Sequence, residues 1–172
     1  MFDASGLVKK GKDSAGVARP YCGTLGKVEN CQGGVLAGYA SRQGYVLVDQ
    51  RLFLPEVWCD PADATRRAKC QVPAEMRLQT KPQLAAAMLQ SIRHEGLLPF
   101  RYIVADSVYG NSPDFLAAIE ACVGATALVA ISSETRCWSQ RPATQEQAYR
   151  YKGEERTKRH LRPTASAPQS VA

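Results

Sequence analysis

Two aspartates stand out by their settings. Asp3 lies in Phe2-Asp3-Ala4-Ser5-Gly6-Leu7-Val8, and Asp106 closes Arg101-Tyr102-Ile103-Val104-Ala105-Asp106. Each reads as the C-terminal end of a β-strand. Two strand-end carboxylates offer hard oxygen donors, and Mg²⁺ commonly takes only one or two such groups from protein. Cations held in this way can activate and stabilise the oxygens of a phosphodiester displacement. The plainer alternative makes Asp3 a terminal residue and Asp106 a turn or helix cap, and spacing alone does not separate the two. The run from Gly6 to Lys12 approaches a phosphate-cradling P-loop. That loop needs Ser or Thr after its lysine to reach Mg²⁺. Asp13 stands there instead, and its charge opposes phosphate. Nucleotide hydrolysis is disfavoured on that ground. His94 and His160 have no local Ser-His-Asp or Cys-His setting.

Hydrophobic patterning gives the elements that must position these residues. Residues 1–3 read as the stub of a strand, 4–16 as a Gly-, Lys- and Ser-rich loop, and 17–21 as a short extended piece. Residues 31–39 read as a strand weakened by glycines, 41–44 as a hairpin turn, and 45–53 as a strand that Pro55 ends. A short polar helix is predicted over 62–69 and a longer one over 82–95. In the longer helix Pro82 fits the first turn and Gly96 the stop. Leu84, Ala87, Met88, Ser91 and Ile92 share one of its faces. A strand follows at 102–105, then a helix at 113–122 with Ser112 as candidate cap. The continuous apolar run at 125–131 predicts a buried strand. This order predicts an α/β fold, a mixed sheet with helices against it. Nothing after Ile131 reads as packed.

The chain has 172 residues, enough for one ordinary domain, and 45% hydrophobic content supports a real core. Its net charge of +6 is compatible with a polyanionic partner without proving one. Residues 141–172 hold seven Lys/Arg against three Glu, so most of the excess sits in a basic tail. The start of the chain lacks the basic and apolar regions of a secretory signal, and no stretch approaches the roughly 20 apolar residues of a membrane span. The six cysteines form no Cys-x-x-Cys pair, so they read as reduced, partly core-facing thiols. Trp58 reads as core or edge packing.

Several separated motifs occur in one order. They are Lys9-Lys10-Gly11, Ser14-Ala15-Gly16-Val17-Ala18-Arg19, Gly23-Thr24-Leu25-Gly26-Lys27, Asn30-Cys31-Gln32, Leu52-Phe53-Leu54-Pro55 with Trp58, Lys81-Pro82, and Val104-Ala105-Asp106 with Tyr109-Gly110. With Asp3, they make residues 2 to about 162 resemble the DDE-type transposases of bacterial insertion sequences. The resemblance implies a ribonuclease-H-like sheet in which the first strand pairs with the strand before Asp106. It implies Asp3 and Asp106 as catalytic metal ligands, Mg²⁺ or Mn²⁺ as cofactor, transposon-end DNA as partner, a homo-oligomer as an open option, and a bacterial cytoplasmic, nucleoid-associated location. It further implies that Lys9, Lys10 and Lys12 approach phosphates near the scissile bond, the alternative being a solvated charge run. Arg19 either steers DNA or pairs with a carboxylate. Tyr109 either stacks on a base or packs, and Gly110 allows close backbone approach. The family's third carboxylate, a Glu on a later helix, has no matching context here. The expectation is therefore a truncated transposase: a partial catalytic core over 1–140, a basic and poorly ordered tail over 141–172, and little or no activity. The alternative is a non-catalytic DNA-binding or interaction fragment.

Overall fold

The computed structural model describes all residues except 24, 139, 141, 152–153 and 171–172. Thr24 of the glycine-rich motif, and Arg141 and Lys152 of the basic tail, lie outside the described residues. The chain divides into two compact units, Met1–Ile131 and Ser132–Ala172.

The first unit contains β1 (Phe2–Val8), β2 (Val17–Ala18), β3 (Tyr21–Cys22), β4 (Lys27–Val28), β5 (Cys31–Ser41) and β6 (Gly44–Phe53). It continues through α1 (Ala64–Lys69), α2 (Lys81–Glu95), β7 (Tyr102–Ala105), α3 (Ser107–Gly110), α4 (Pro113–Glu120) and β8 (Thr126–Val129). Its main sheet runs β2-β5-β1-β7-β8, with β6 also on β5. The β1–β5 and β5–β6 pairs are antiparallel, while β1–β7 and β7–β8 are parallel. This is a mixed α/β architecture compatible with the ribonuclease-H-like order. The hairpin turn falls at Ser41–Gly44, as its sequence predicts.

The first strand departs from the sequence reading. It is a seven-residue strand, not a stub, and it pairs with β5 from Phe2↔Ala37 to Val8↔Cys31. Asp3 is consequently its second residue rather than its end. Ser5 and Gly6 have weak strand preference, but they face Gly34 and Gly33, where two backbones can meet with little side chain between them. Such tertiary pairing overrides local propensity.

α1, α2 and α4 lie close to where the sequence puts them, α3 is an added short helix that the sequence reading lacks, and the faces differ in detail. α2 starts with a full capping box between Thr80 and Gln83 and ends at Gly96 in the left-handed region (φ 66°). Its buried residues are Leu84, Ala85, Ala86, Met88 and Leu89, so the buried stripe is broader than predicted and rotated away from Ser91. The cause is that α2 packs against α4 as well as against β5 and β6. Ser112 occupies the cap position of α4 without a side-chain cap bond. β8 lies at the sheet edge, half-buried and exposed in alternation, not fully buried as its apolar run suggests.

The core gathers Phe2, Val35, Ala37, Met88, Ile103, Ala105, Tyr109 and Phe115. Phe115 meets Phe2 edge-on at 5.3 Å and Tyr109 at 5.6 Å between ring centroids. A smaller cluster joins Val17, Leu54 and Trp58. There the Trp58 Nε1 donates to the Val17 carbonyl (2.8 Å), and the Arg66 guanidinium covers the indole at 4.0 Å. Among the described residues no helix is long and apolar enough to cross a membrane.

The second unit contains β9 (Arg136–Cys137), β10 (Thr144–Tyr151), β11 (Glu154–Leu161) and β12 (Gln169–Ser170). β10 and β11 pair antiparallel from Thr144↔Leu161 to Tyr151↔Glu154, and β9 pairs with β12. Regular structure thus occurs where a poorly ordered tail was expected. Opposed charges, Glu146 on Arg159 and Arg150 on Glu155, favour that register. β11 buries none of its residues.

Candidate functional site

The two aspartates are brought together by what precedes them. Phe2 and Ala105 are both buried, and they are partners in the parallel contact between β1 and β7. Asp3 and Asp106 each follow one of these partners, so Asp3, inside β1, and Asp106, just past β7, lie at the same level. Both carboxylates are exposed. Asp3 Oδ1 accepts from the Ala4 amide (2.7 Å), and Asp106 Oδ1 accepts from the Val108 amide (2.9 Å). The second bond makes Asp106 the N-cap of α3. The cap reading and the ligand reading are therefore compatible, because each aspartate keeps a second oxygen that no described residue engages. Two neighbouring carboxylates with free oxygens could hold a hard cation. Among the described residues no group of three or more His, Cys, Asp and Glu side chains is arranged to do so. The groove of about 240 Å³ among Tyr39, Leu89, Ile92, Phe100 and Tyr102 does not include either aspartate.

The short helix α3 carries the rest of the motif. The Tyr109 and Gly110 amides both donate to the Asp106 main-chain oxygen (3.2 and 2.9 Å). Gly110 is buried, and a Cβ there would run into the Ala130 carbonyl, so close backbone approach is what this glycine permits. Tyr109 has no exposed surface. Its ring packs against Phe115. Its hydroxyl is buried without a hydrogen-bond partner among the described residues.

Lys9, Lys10 and Lys12 do not sit beside Asp3. Because β1 runs on to Val8, Lys9 lies beyond its far end, about 20 Å from Asp3 at about 3.3 Å per residue. Lys10 and Lys12 are exposed and Lys9 is half-buried. The loop that carries them is stapled from several directions. Asn30 Nδ2 donates to the Lys9 and Gly11 carbonyls (both 2.8 Å), Gln32 Nε2 to Ala15 O (2.6 Å), and Arg66 Nη2 to Lys12 O (2.7 Å). Lys69 Nζ reaches Asp13 Oδ2 at 2.7 Å. That hydrogen bond, with the charge of Lys69 behind it, holds the Asp13 carboxyl below the usual carboxylate range and raises the Lys69 ammonium above its own. Asp13 is therefore an anchor of the loop. Sequence reading named Asn30-Cys31-Gln32 as a motif without assigning it this work. Arg66 and Lys69 act from more than 50 residues away and have no local signal.

Arg19 is exposed and stands in the field of Glu29. The Glu29 carboxyl is held low by the Asn30 amide first, then by Lys27 at 3.2 Å and more weakly by Arg19. Behind β1, Cys22 and Cys31 are buried side by side. Burial pushes the Cys31 thiol up, and Cys22 adds to it.

A family model described as DDE superfamily endonuclease matches residues 1–172. No curated protein and no solved structure matches the chain. With the ordered motifs, the mixed sheet and two aspartates, one in β1 and one just past β7, the match over the whole length settles the family: the chain belongs to the DDE superfamily endonucleases.

Proposed function

We propose that Asp3 and Asp106 are two carboxylate ligands of a divalent-cation centre, Mg²⁺ or Mn²⁺, that serves strand cleavage and transfer on transposon DNA. The observation that carries this reading is the parallel Phe2↔Ala105 pairing, which sets both carboxylates at one level of the sheet. The donor set suits a hard cation, since both side chains are exposed and offer oxygen only. A cation bound there supplies Lewis-acid activation of the attacking oxygen and stabilisation of the leaving one. The chain's own residues do the positioning. The cap bond to Val108 orients Asp106, and the buried Phe2 and Ala105 hold both strands in register. The stapled Lys9–Lys12 loop contacts phosphates away from the reacting bond. A separation of about 20 Å corresponds to about six base-pair steps of axial rise in a duplex.

Described residues supply no grouped third carboxylate, so weak cation binding and little or no strand transfer are expected of this chain. Calorimetric titration of Mn²⁺ into the chain and its Asp3→Asn variant tests the ligand role. Binding by the parent and not by the variant supports it, and equal binding by both refutes it. Efficient metal-dependent strand transfer by the 172-residue chain would overturn the expected inactivity.

A second reading, DNA binding without cleavage, is favoured by the Lys loop itself. Four residues from elsewhere in the chain fix a segment in which Lys10 and Lys12 are exposed and Lys9 half-buried. If the three lysines contact phosphates, replacing all by Gln lowers the salt slope of duplex binding by roughly 3. An unchanged slope would remove the loop from the interface.

A further inference from the structure

Tyr109 presents a cost that the fold alone does not explain. Its ring has no exposed surface and packs on Phe115, a task that phenylalanine would perform equally. Its hydroxyl is nevertheless buried with no hydrogen-bond partner among the described residues. A buried orphan hydroxyl is destabilising, because the group loses water and gains nothing in return. The residue is also tightly placed. Its amide is bonded to the Asp106 carbonyl, and the next residue, Gly110, lets α3 press onto the backbone at Ala130. Tyr109 is thus held one turn behind Asp106, at the end of the sheet from which both aspartates emerge.

We infer that Tyr109 is a positioning residue for the aspartate pair, its hydroxyl donating a hydrogen bond to that pair when a divalent cation is held there. The inference rests on the metal-centre reading above and deepens it. The electrostatics agree in direction. Burial, then the charge of Asp106, then that of Asp3, pushes the phenol well above the ordinary tyrosine range. The phenolic O–H is the donor that this packing leaves unused, and Asp106 and Asp3 are the charges that act on it. A donor at that place holds a carboxylate oxygen in one orientation and strengthens its hold on a cation, as outer-sphere partners do in metal sites generally.

Tyr109→Phe in the full chain tests this with two readouts of opposite sign. In EDTA the variant is expected to melt about 2–4 °C higher than the parent, because an unpaired buried hydroxyl has been removed. Its Mn²⁺ affinity, from calorimetry or from the metal-induced rise in melting temperature, is expected to fall roughly tenfold, the loss of one charge-assisted hydrogen bond. A melting temperature that falls in EDTA, with Mn²⁺ affinity unchanged, would show a purely structural hydroxyl and overturn the inference. Asp3→Asn run in parallel separates the two failures. If Asp3→Asn abolishes Mn²⁺ binding and Tyr109→Phe leaves it intact, only the Tyr109 inference fails. If neither variant changes binding, the two-aspartate reading fails with it.

Discussion

Gly110→Ala sets two physical effects against each other. Gly110 sits in a helical turn without a positive φ, so its backbone conformation suits alanine. Helix propensity alone then favours the substitution by about 1 kcal/mol. The surroundings argue the reverse. A Cβ at this position would overlap the Ala130 carbonyl oxygen and would lie 3.1 Å from the Ala130 carbonyl carbon and 3.2 Å from Val129 Cβ. These are mostly backbone atoms following β8, which is itself paired to β7 along its whole length, so no side-chain rotation relieves the clash. Overpacking against such a wall costs about 3 kcal/mol or more, at the upper end of the usual range. The net expectation is a loss of about 2 kcal/mol, or roughly 4–8 °C in melting temperature for a domain of this size. Because the Gly110 amide is bonded to Asp106 O, the displacement also reaches Asp106, the proposed cation ligand. Thermal unfolding followed by circular dichroism reads the first effect and Mn²⁺ titration the second. A melting temperature equal to or above the parent's would refute the packing argument and leave propensity as the dominant effect.

Asp106→Ala loses the cap of α3 and about 1 kcal/mol of stability, while Asp106→Asn retains the cap. Mn²⁺ binding is expected to be lost in both, so calorimetry with thermal melts separates cap from ligand. In thiol titration under native conditions, exposed Cys137 is expected to react first, and Cys22, Cys31 and Cys122 only on unfolding. Burial pushes the Cys31 and Cys122 thiols up and withholds the reactive thiolate. The Asp13–Lys69 pair gives a defined pH response. Asp13, held low, contributes fully above its unfolded value and loses that contribution as pH falls through the lowered folded value. Lys69, raised, contributes fully below its unfolded value and loses its share as pH rises through the raised one. The small advantage of the parent over Lys69→Met in denaturant midpoint should therefore span neutral pH and vanish in strong acid and in strong alkali.

What the sequence disclosed, and what it hid, follows the range of the forces involved. The longer helices were legible because their signals are local: Pro82 and Gly96 bracket α2 within one stretch of chain. The hairpin at Ser41–Gly44 was legible for the same reason. The extent of β1 was not, since Ala4 to Val8 read as loop until the glycines of β5, more than 25 residues on, supply the partner edge. That single miss displaced part of the candidate site. With β1 taken as a stub, the lysines seemed to stand beside Asp3. With β1 at full length, it acts as a spacer between the carboxylates at one end and the stapled basic loop at the other. Asp3 and Asp106 were found through their motifs, yet their adjacency depends on a pairing across 103 residues that no periodicity reveals. Tyr109 marks the opposite case. Its motif identified the position, but only burial distinguishes a ring that stacks on a base from one that packs in the core. Only the bonding around its hydroxyl exposes the unmet donor. A sequence can thus nominate the atoms of a site, whereas the demand each atom makes on its surroundings is set by contacts that close late and at long range.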